Sequence, residues 1–172
     1  WSSTRLSTFN ISDLTAPSVA DTLMLSPVDD PENNRWTWSY SEAKYEHKAF
    51  QYWAPKELLA VPLSTYQWIE HYDEDGGYHW HYDYVSKAIL VHVNETTGTM
   101  SIYGEVNHSS MINQDHGNYW WGGNENIRRT IFMGDYIYAI SGAGITAHNL
   151  TTMALSDVVM FDIESNDPEY SR

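Results

Sequence analysis

Hydrophobic and polar residues alternate along much of this chain, and one alternating pattern occurs three times. The copies read STFNISDLTAPSVADTLML from Ser7, LVHVNETTGTMSIYGEV from Leu90 and ITAHNLTTMALSDVVMF from Ile145. In each copy an alternating run reaches an Asn, a turn rich in hydroxyl side chains follows, and a second apolar run returns. A period of two residues places every second side chain on one face of a strand, so each copy predicts a β-hairpin with one buried face. A hairpin that recurs along a chain predicts a repeat architecture.

Two further strand pairs precede the second and third copies. HKAFQYW from His47 and LLAVPLS from Leu58 precede the second copy, and RRTIFM from Arg128 and YIYAIS from Tyr136 precede the third. The chain is therefore predicted to be all-β, built of four-stranded antiparallel blades of a β-propeller. A β-sandwich is the competing all-β fold, but it does not require the same hairpin three times. The predicted units are a half blade at 3–26, a blade at 47–108, a blade at 128–163 and a polar tail at 164–172.

These units amount to about two and a half blades, whereas a closed propeller needs roughly four. The apolar faces of the terminal blades would then be exposed, which folded chains normally avoid. We therefore expect an amino-terminal propeller fragment or a neighbouring subunit to complete the propeller. The chain begins at Trp1 with no initiator Met and no leader-like segment, which predicts a processing boundary.

Composition narrows the class of protein. The chain has 172 residues, enough for one domain, and its aromatic content of 15% favours strands. A net charge of −14 argues against a nucleic-acid partner, whose phosphates attract Lys and Arg. The charge suits solubility, with cation binding or a salt-rich habitat as alternatives. There is no Cys, which excludes disulfides and thiol chemistry, and no run is apolar enough to span a membrane.

Several spaced motifs resemble the carboxy-terminal part of secreted β-propeller domains that are distantly related to WD40 repeats and occur in archaeal and bacterial extracellular proteins. The motifs are S-E-A…H-K-A-F at Ser41–Phe50, the apolar strand at Leu58–Leu63 and R-x-x-x-x-G-D-x-x-Y-x-x-S at Arg129–Ser141, after STRLSTFNISDL from Ser3. The resemblance implies a propeller fold and an extracellular or cell-surface location. It implies no catalytic residues, because the family is defined by its fold.

The segment Tyr66–Tyr84 has the densest set of polar side chains and departs from the resemblance. Asp73, Asp75, His79 and His81 could form a metal site, because the two His lie at i and i+2 and would project from one face of a strand. Copper or zinc would suit the His, and the Asp pair resembles part of a calcium loop; no cofactor is certain. The alternative is an aromatic-rich loop without metal.

Four Asn-x-Ser/Thr sequons are candidates for glycosylation, although three of them are better explained by an Asn that caps its own turn. They lie at Asn10, Asn94, Asn107 and Asn149. No G-x-S-x-G, P-loop or H-E-x-x-H motif occurs, so no catalytic residue is predicted and an enzyme is the less favoured class.

The leading functional hypothesis is a non-catalytic extracellular propeller module for binding or structural assembly, with a protein or a glycan as ligand. Three long excursions between strands, at Pro27–Lys44, Tyr66–Tyr84 and Ser109–Asn126, are predicted to be loops that build its recognition surface. The candidate ligand-contacting residues are the tryptophans of these excursions: Trp36, Trp38, Trp68, Trp80, Trp120 and Trp121. The second hypothesis is a copper- or zinc-binding redox or enzymatic protein centred on His79 and His81.

Overall fold

The computed structural model describes residues 3–27, 29–33, 35–108, 111 and 126–161. Its strands are β1 Arg5–Asn10, β2 Ser18–Met24, β3 Arg35–Tyr40, β4 Gln51–Trp53, β5 Leu58–Tyr72, β6 Tyr78–Val93, β7 Met100–Asn107, β8 Arg129–Met133, β9 Tyr136–Ile140, β10 Gly144–Asn149 and β11 Leu155–Met160. Single 3-10 turns lie at Pro31–Asn33, Glu42–Lys44, His47–Ala49 and Ala54–Lys56. Within these residues no helix is long and apolar enough to cross a membrane.

The strands form three sheets whose pairs are antiparallel, so the predicted all-β fold is confirmed. The first sheet is the hairpin β1–β2, and the third has the order β11–β10–β9–β8. The second has the order β3–β5–β6–β7, with β4 also pairing with β5. The repeated hairpins are thus β1–β2, β6–β7 and β10–β11. In the second and third sheets, further strands continue the sheet on one side of the hairpin, which is the arrangement of a propeller blade.

The same side-chain turn closes each repeated hairpin. The Oδ1 atoms of Asn10, Asn94 and Asn149 accept hydrogen bonds from the backbone N–H two residues later, at 2.9, 3.0 and 2.9 Å. Asn94 and Asn149 also accept from the N–H three residues later, at 2.9 and 3.2 Å. An Asn side chain stabilises a turn in this way, so the turn role predicted for these residues is confirmed.

Two hydrophobic cores lie on the opposite faces of β5 and β6. The first core lies between the second and third sheets and contains Leu58, Ala60, Ala88, Leu90, Val106, Ile127, Ile137, Ala139 and Leu150. The second lies towards the β1–β2 hairpin and contains Leu25, Leu59, Val61, Leu63, Ile89 and Val91. Alternate side chains of a strand point to opposite faces, so the unbroken apolar run of β5 serves both cores.

A buried histidine joins the second sheet to the third. His108 follows β7 and is 0% exposed, and its Nε2 lies 2.7 Å from Oγ1 of Thr146 in β10. Burial lowers the pKa of His108 to about 4, and the neighbouring His148 acts in the same direction. Burial also lowers the pKa of His148, which is 7% exposed. Both rings are therefore neutral at physiological pH.

Two of the three predicted loop excursions contain strands instead. β3 lies inside Pro27–Lys44, and Tyr66–Tyr84 is mostly strand because β5 and β6 continue to Tyr72 and from Tyr78. In Tyr66–Tyr84 the loop interpretation was wrong because only residues 73–77 form a turn, and the residues on either side pair as a hairpin. The third excursion, 109–126, lies outside the described residues except for Met111 and Asn126, and the predicted tail 164–172 lies outside them entirely.

Candidate functional site

The β5–β6 hairpin extends well beyond the rest of its sheet. β5 and β6 pair continuously from Leu58–His92 to Tyr72–Tyr78, whereas β7 pairs with β6 over residues 87–93. β3 pairs with residues 64–69 of β5. Residues 35–40, 64–72 and 78–86 therefore form a three-stranded projection, which we call the ribbon. At about 3.3 Å per residue, its β5 strand is roughly 26 Å long.

One face of the ribbon is almost entirely aromatic. The register pairs Trp36 with Trp68, Tyr66 with Tyr84 and Tyr72 with Tyr78, so even-numbered residues share one face. We call this surface the aromatic face. Its rings are Trp36, Trp38 and Tyr40 from β3, Tyr66, Trp68 and Tyr72 from β5, and Tyr78, Trp80, Tyr82 and Tyr84 from β6.

The rings contact one another across the strands. Trp68 and Trp80 are stacked, with centroids 4.9 Å apart and planes 9° apart, and Tyr82 lies edge-on to both rings at 4.5 and 5.4 Å. Tyr66 lies 4.7 Å from Tyr84. Such cross-strand pairs contribute roughly 0.2–1 kcal/mol each. They stabilise the ribbon itself, because neither core extends beyond Leu63 in β5.

The outer part of the aromatic face is nevertheless open to solvent, whereas other rings of the face are partly buried: Trp36, Tyr40, Tyr66, Trp68 and Tyr84. The exposed fractions are 63% for Tyr72, 48% for Trp80, 47% for Tyr78 and 39% for Tyr82. A contiguous exposed surface of large apolar side chains is unusual for a folded protein and marks an interaction site. The structure thus places Trp36, Trp38, Trp68 and Trp80 of the predicted ligand surface on one face. Trp120 and Trp121 lie outside the described residues.

One carboxylate lies among these rings. Oε1 of Glu70 accepts hydrogen bonds from Nε1 of Trp68 and from the hydroxyl of Tyr78, both at 2.8 Å. The hydrogen bond to Glu70 raises the pKa of Tyr78 to about 12. The phenol therefore remains protonated, and the aromatic face combines apolar rings with hydroxyl, indole N–H and carboxylate groups.

The opposite face of the ribbon is polar near its tip and carries His79 and His81 of the predicted metal ligands, whereas Asp73 and Asp75 lie in the turn between β5 and β6. His79 and His81 do project from one face of a strand, as expected. Nε2 of His79 lies 3.1 Å from Oδ2 of Asp73, and Nε2 of His81 lies 3.9 Å from Oδ2 of Asp83. The His71 and His79 rings stack at 5.1 Å.

The turn at the tip of the ribbon gives Asp73 a structural role. Its Oδ1 accepts a hydrogen bond from the Gly77 N–H at 2.5 Å, and Gly76 adopts a φ of +81°. The hydrogen bonds from His79 and from Gly77 lower the pKa of Asp73. In the described part of the chain, no group of three or more His, Asp or Glu side chains could hold a metal ion. The structure therefore gives no support to a site formed by Asp73, Asp75, His79 and His81.

The predicted glycosylation sites lie at, or directly after, the ends of strands. Asn10 and Asn107 are exposed, and Asn94 and Asn149 are partly exposed. In three of them Oδ1 is engaged in the turn described above, whereas a sugar would be attached at Nδ2. The geometry is compatible with modification, and glycosylation at the four positions stays a prediction.

A cleft of about 350 Å³ separates β1 from the second sheet. Leu6 of β1 and Tyr52 of β4 line it, together with Phe50 just before β4. Phe50 and Tyr52 are 45% and 42% exposed, although both are large apolar side chains. In the described residues β1 pairs with β2 alone, so the edge of β1 beside this cleft has no strand partner.

Most of the aromatic face was not predicted from the sequence. The tryptophans were predicted ligand contacts, but the tyrosines between them were not. The signal was present, since TYQWIEHY from Thr65 and YHWHYDY from Tyr78 both place an aromatic residue at nearly every second position. That period predicts paired strands with one aromatic face.

Comparison with known proteins gives one match. A family model described as "Beta propeller domain" matches residues 1–153 of the chain. No curated protein and no solved structure matches. The matched range includes the first two sheets and the ribbon, together with β8 to β10 of the third sheet.

Proposed function

The chain belongs to the β-propeller domain family, and we propose that it is a non-catalytic extracellular binding module that holds its ligand on the aromatic face of the ribbon. The observation that carries this proposal is the exposure of the aromatic face beyond both cores. A ribbon that served only to cover the fold would bury these rings. Trp and Tyr provide large, rigid contact areas and dominate binding energy at many interfaces.

The remaining support comes from the sequence. No catalytic motif occurs, and the net charge of −14 is unsuited to phosphate-rich ligands. The extracellular location rests on the resemblance to secreted propeller domains. The sequons at Asn10, Asn94, Asn107 and Asn149 are consistent with it, and we propose that they are glycosylated where the host modifies such sites. Mass spectrometry of the native protein before and after removal of N-linked sugars tests this.

A binding screen tests the proposed role. The native protein is immobilised and exposed to a panel of glycans and extracellular proteins, beside the variant Trp80→Ala and the control Phe9→Ala. Phe9 is 61% exposed but lies on β1, away from the ribbon. We expect Trp80→Ala to weaken binding at least about tenfold, equivalent to about 1.4 kcal/mol, and Phe9→Ala to leave it unchanged. Equal binding by both variants, or turnover of a substrate without binding, would contradict the proposal.

We also propose that an amino-terminal propeller fragment or a neighbouring subunit completes the propeller. The hairpins β6–β7 and β10–β11 are each continued by further strands. Within the described residues, no further strand continues β1–β2. The cleft beside β1, with its exposed Phe50 and Tyr52, lies where such strands would pack. Light scattering of the native material tests this: a stable monodisperse species of 19.8 kDa containing only this chain would contradict it.

A further inference from the structure

We infer that the ligand of the aromatic face is a linear, neutral polysaccharide that lies lengthwise along the ribbon; this inference rests on the binding role proposed above. It starts from the kind of ring present. Every ring of the aromatic face belongs to Trp or Tyr, and none belongs to Phe. Each ring therefore combines an apolar surface with a polar N–H or O–H group, of which those of Trp68 and Tyr78 are already bonded to Glu70. This combination matches a sugar unit, which has apolar C–H faces and hydroxyl groups.

The other side chains of this face also favour a sugar as the ligand. The even-numbered positions of 36–40, 66–72 and 78–84 contain no aliphatic residue, and their one charged residue is Glu70. A surface that binds lipid would have Lys or Arg beside its apolar side chains, and this face has neither. Glu70 instead places a hydrogen-bond acceptor among the rings, where hydroxyl groups of a sugar can donate to it.

The charge of the protein argues against an anionic polysaccharide. The aromatic face contains neither Lys nor Arg, and the turn at the tip of the ribbon adds Asp73, Glu74 and Asp75. With a net charge of −14 on the chain, an anionic polysaccharide or a nucleic acid would be repelled. A neutral sugar chain is not repelled in this way.

Shape favours a chain over a single sugar. From Tyr66 to Tyr72 the rings of β5 cover six residue steps, about 20 Å along the strand. The surface is an open sheet face, on which Tyr66, Trp68 and Tyr72 of β5 lie opposite Tyr84, Tyr82 and Tyr78 of β6. A row of rings along one axis can stack on successive units of an extended polymer. Protein hot spots, by contrast, concentrate in desolvated pockets, so a protein partner is the less suited occupant.

The inference is tested by affinity electrophoresis of the native protein through gels containing soluble neutral polymers. The neutral probes are mixed-linkage β-glucan, xyloglucan, galactomannan and amylose, and polygalacturonate and heparin are the anionic ones. Titration calorimetry with oligosaccharides of increasing length follows for any polymer that retards the protein. The variants are Trp80→Ala, Trp80→Phe and the control Phe9→Ala, each checked for an unchanged unfolding midpoint.

We expect at least one neutral polymer to bind, with a Kd that Trp80→Ala raises about tenfold or more and that Phe9→Ala leaves unchanged. Trp80→Phe should recover part of the loss, because it keeps a ring. Affinity should rise with oligosaccharide length and change little with salt, since the ligand carries no charge. Binding to none of the neutral polymers, binding to the anionic ones alone, or binding insensitive to Trp80→Ala would overturn the inference. If a protein ligand from the earlier screen binds through Trp80 while no polymer does, the proposed ligand class is wrong and the proposed binding role remains. If nothing binds, the ligand class and the binding role are both wrong.

Discussion

Acidification should weaken the contact between the second and third sheets, because His108 is buried there in its neutral form. The side chain is 0% exposed and bridges to Thr146 of β10 at 2.7 Å. When the chain unfolds, the imidazole returns to water and recovers its ordinary affinity for a proton. The unfolded state therefore binds more protons than the folded state over the pH range between the two pKa values, and stability falls as pH falls through that range.

The size of the effect follows from the two pKa values. The pKa of His108 is 6.5 in its reference state and about 4 in the folded chain. At about 1.36 kcal/mol per unit, this difference corresponds to about 3 kcal/mol. The full stability is present above the unfolded pKa of 6.5, and it is lost progressively as the pH falls towards 4. His148 acts in the same direction, because burial lowers its pKa too.

Urea unfolding of the native protein at a series of pH values measures this loss. The matched variant is His108→Gln, whose amide stays neutral and can still form a hydrogen bond with Thr146. We expect the wild-type protein to lose about 3 kcal/mol more than the variant between neutral pH and a pH of about 4, since the carboxylates titrate alike in both. Identical pH dependence of the two proteins would show that His108 is not held neutral by burial, and the reasoning would be wrong.

Three further predictions concern the cores and the turns. Leu90→Ala should lower the free energy of unfolding by about 2–5 kcal/mol, because Leu90 is 0% exposed in the first core. The control Ile102→Ala, at a residue that is 52% exposed, should lower it by less than about 0.5 kcal/mol. Equal losses in the two variants would contradict the placement of that core. Asn149→Ala should cost about 1 kcal/mol in the same assay, because Oδ1 no longer accepts from the N–H groups of Thr151 and Thr152. Asn149→Asp keeps the acceptor and should cost less, and an Ala variant as stable as the wild type would argue against the turn role. Gly77→Ala would place Cβ 2.5 Å from Oδ2 of Asp73, so backbone hydrogen exchange at the tip of the ribbon should become faster. The unfolding midpoint should stay unchanged, and a large drop in the midpoint would show that the ribbon supports the cores.

Local pattern was sufficient for the fold class because strands and tight turns are encoded by neighbouring residues. Alternation predicted the repeated hairpins, and the Asn residues at their turns accept the hydrogen bonds expected of them. Tyr66–Tyr84 was predicted to be a loop because it is rich in His, Asp and Gly. The alternation of its aromatic residues was equally clear and would have predicted the two strands. The candidate metal ligands show what spacing alone can predict. It placed His79 and His81 on one face, whereas a metal site also needs further ligands brought together by the fold, and the described residues contain no group of three or more.

The sequence by itself determined that this protein is an all-β propeller chain, because a period of two residues and a recurring turn are properties of short segments. Tertiary structure alone decided that β3, distant from β5 in the chain, pairs with it and brings Trp36 and Trp38 beside Trp68. It also decided that the aromatic face stays outside both cores while His108 lies buried between two sheets. Register between distant strands and the burial of a side chain depend on contacts made across the fold, and no local pattern specifies them.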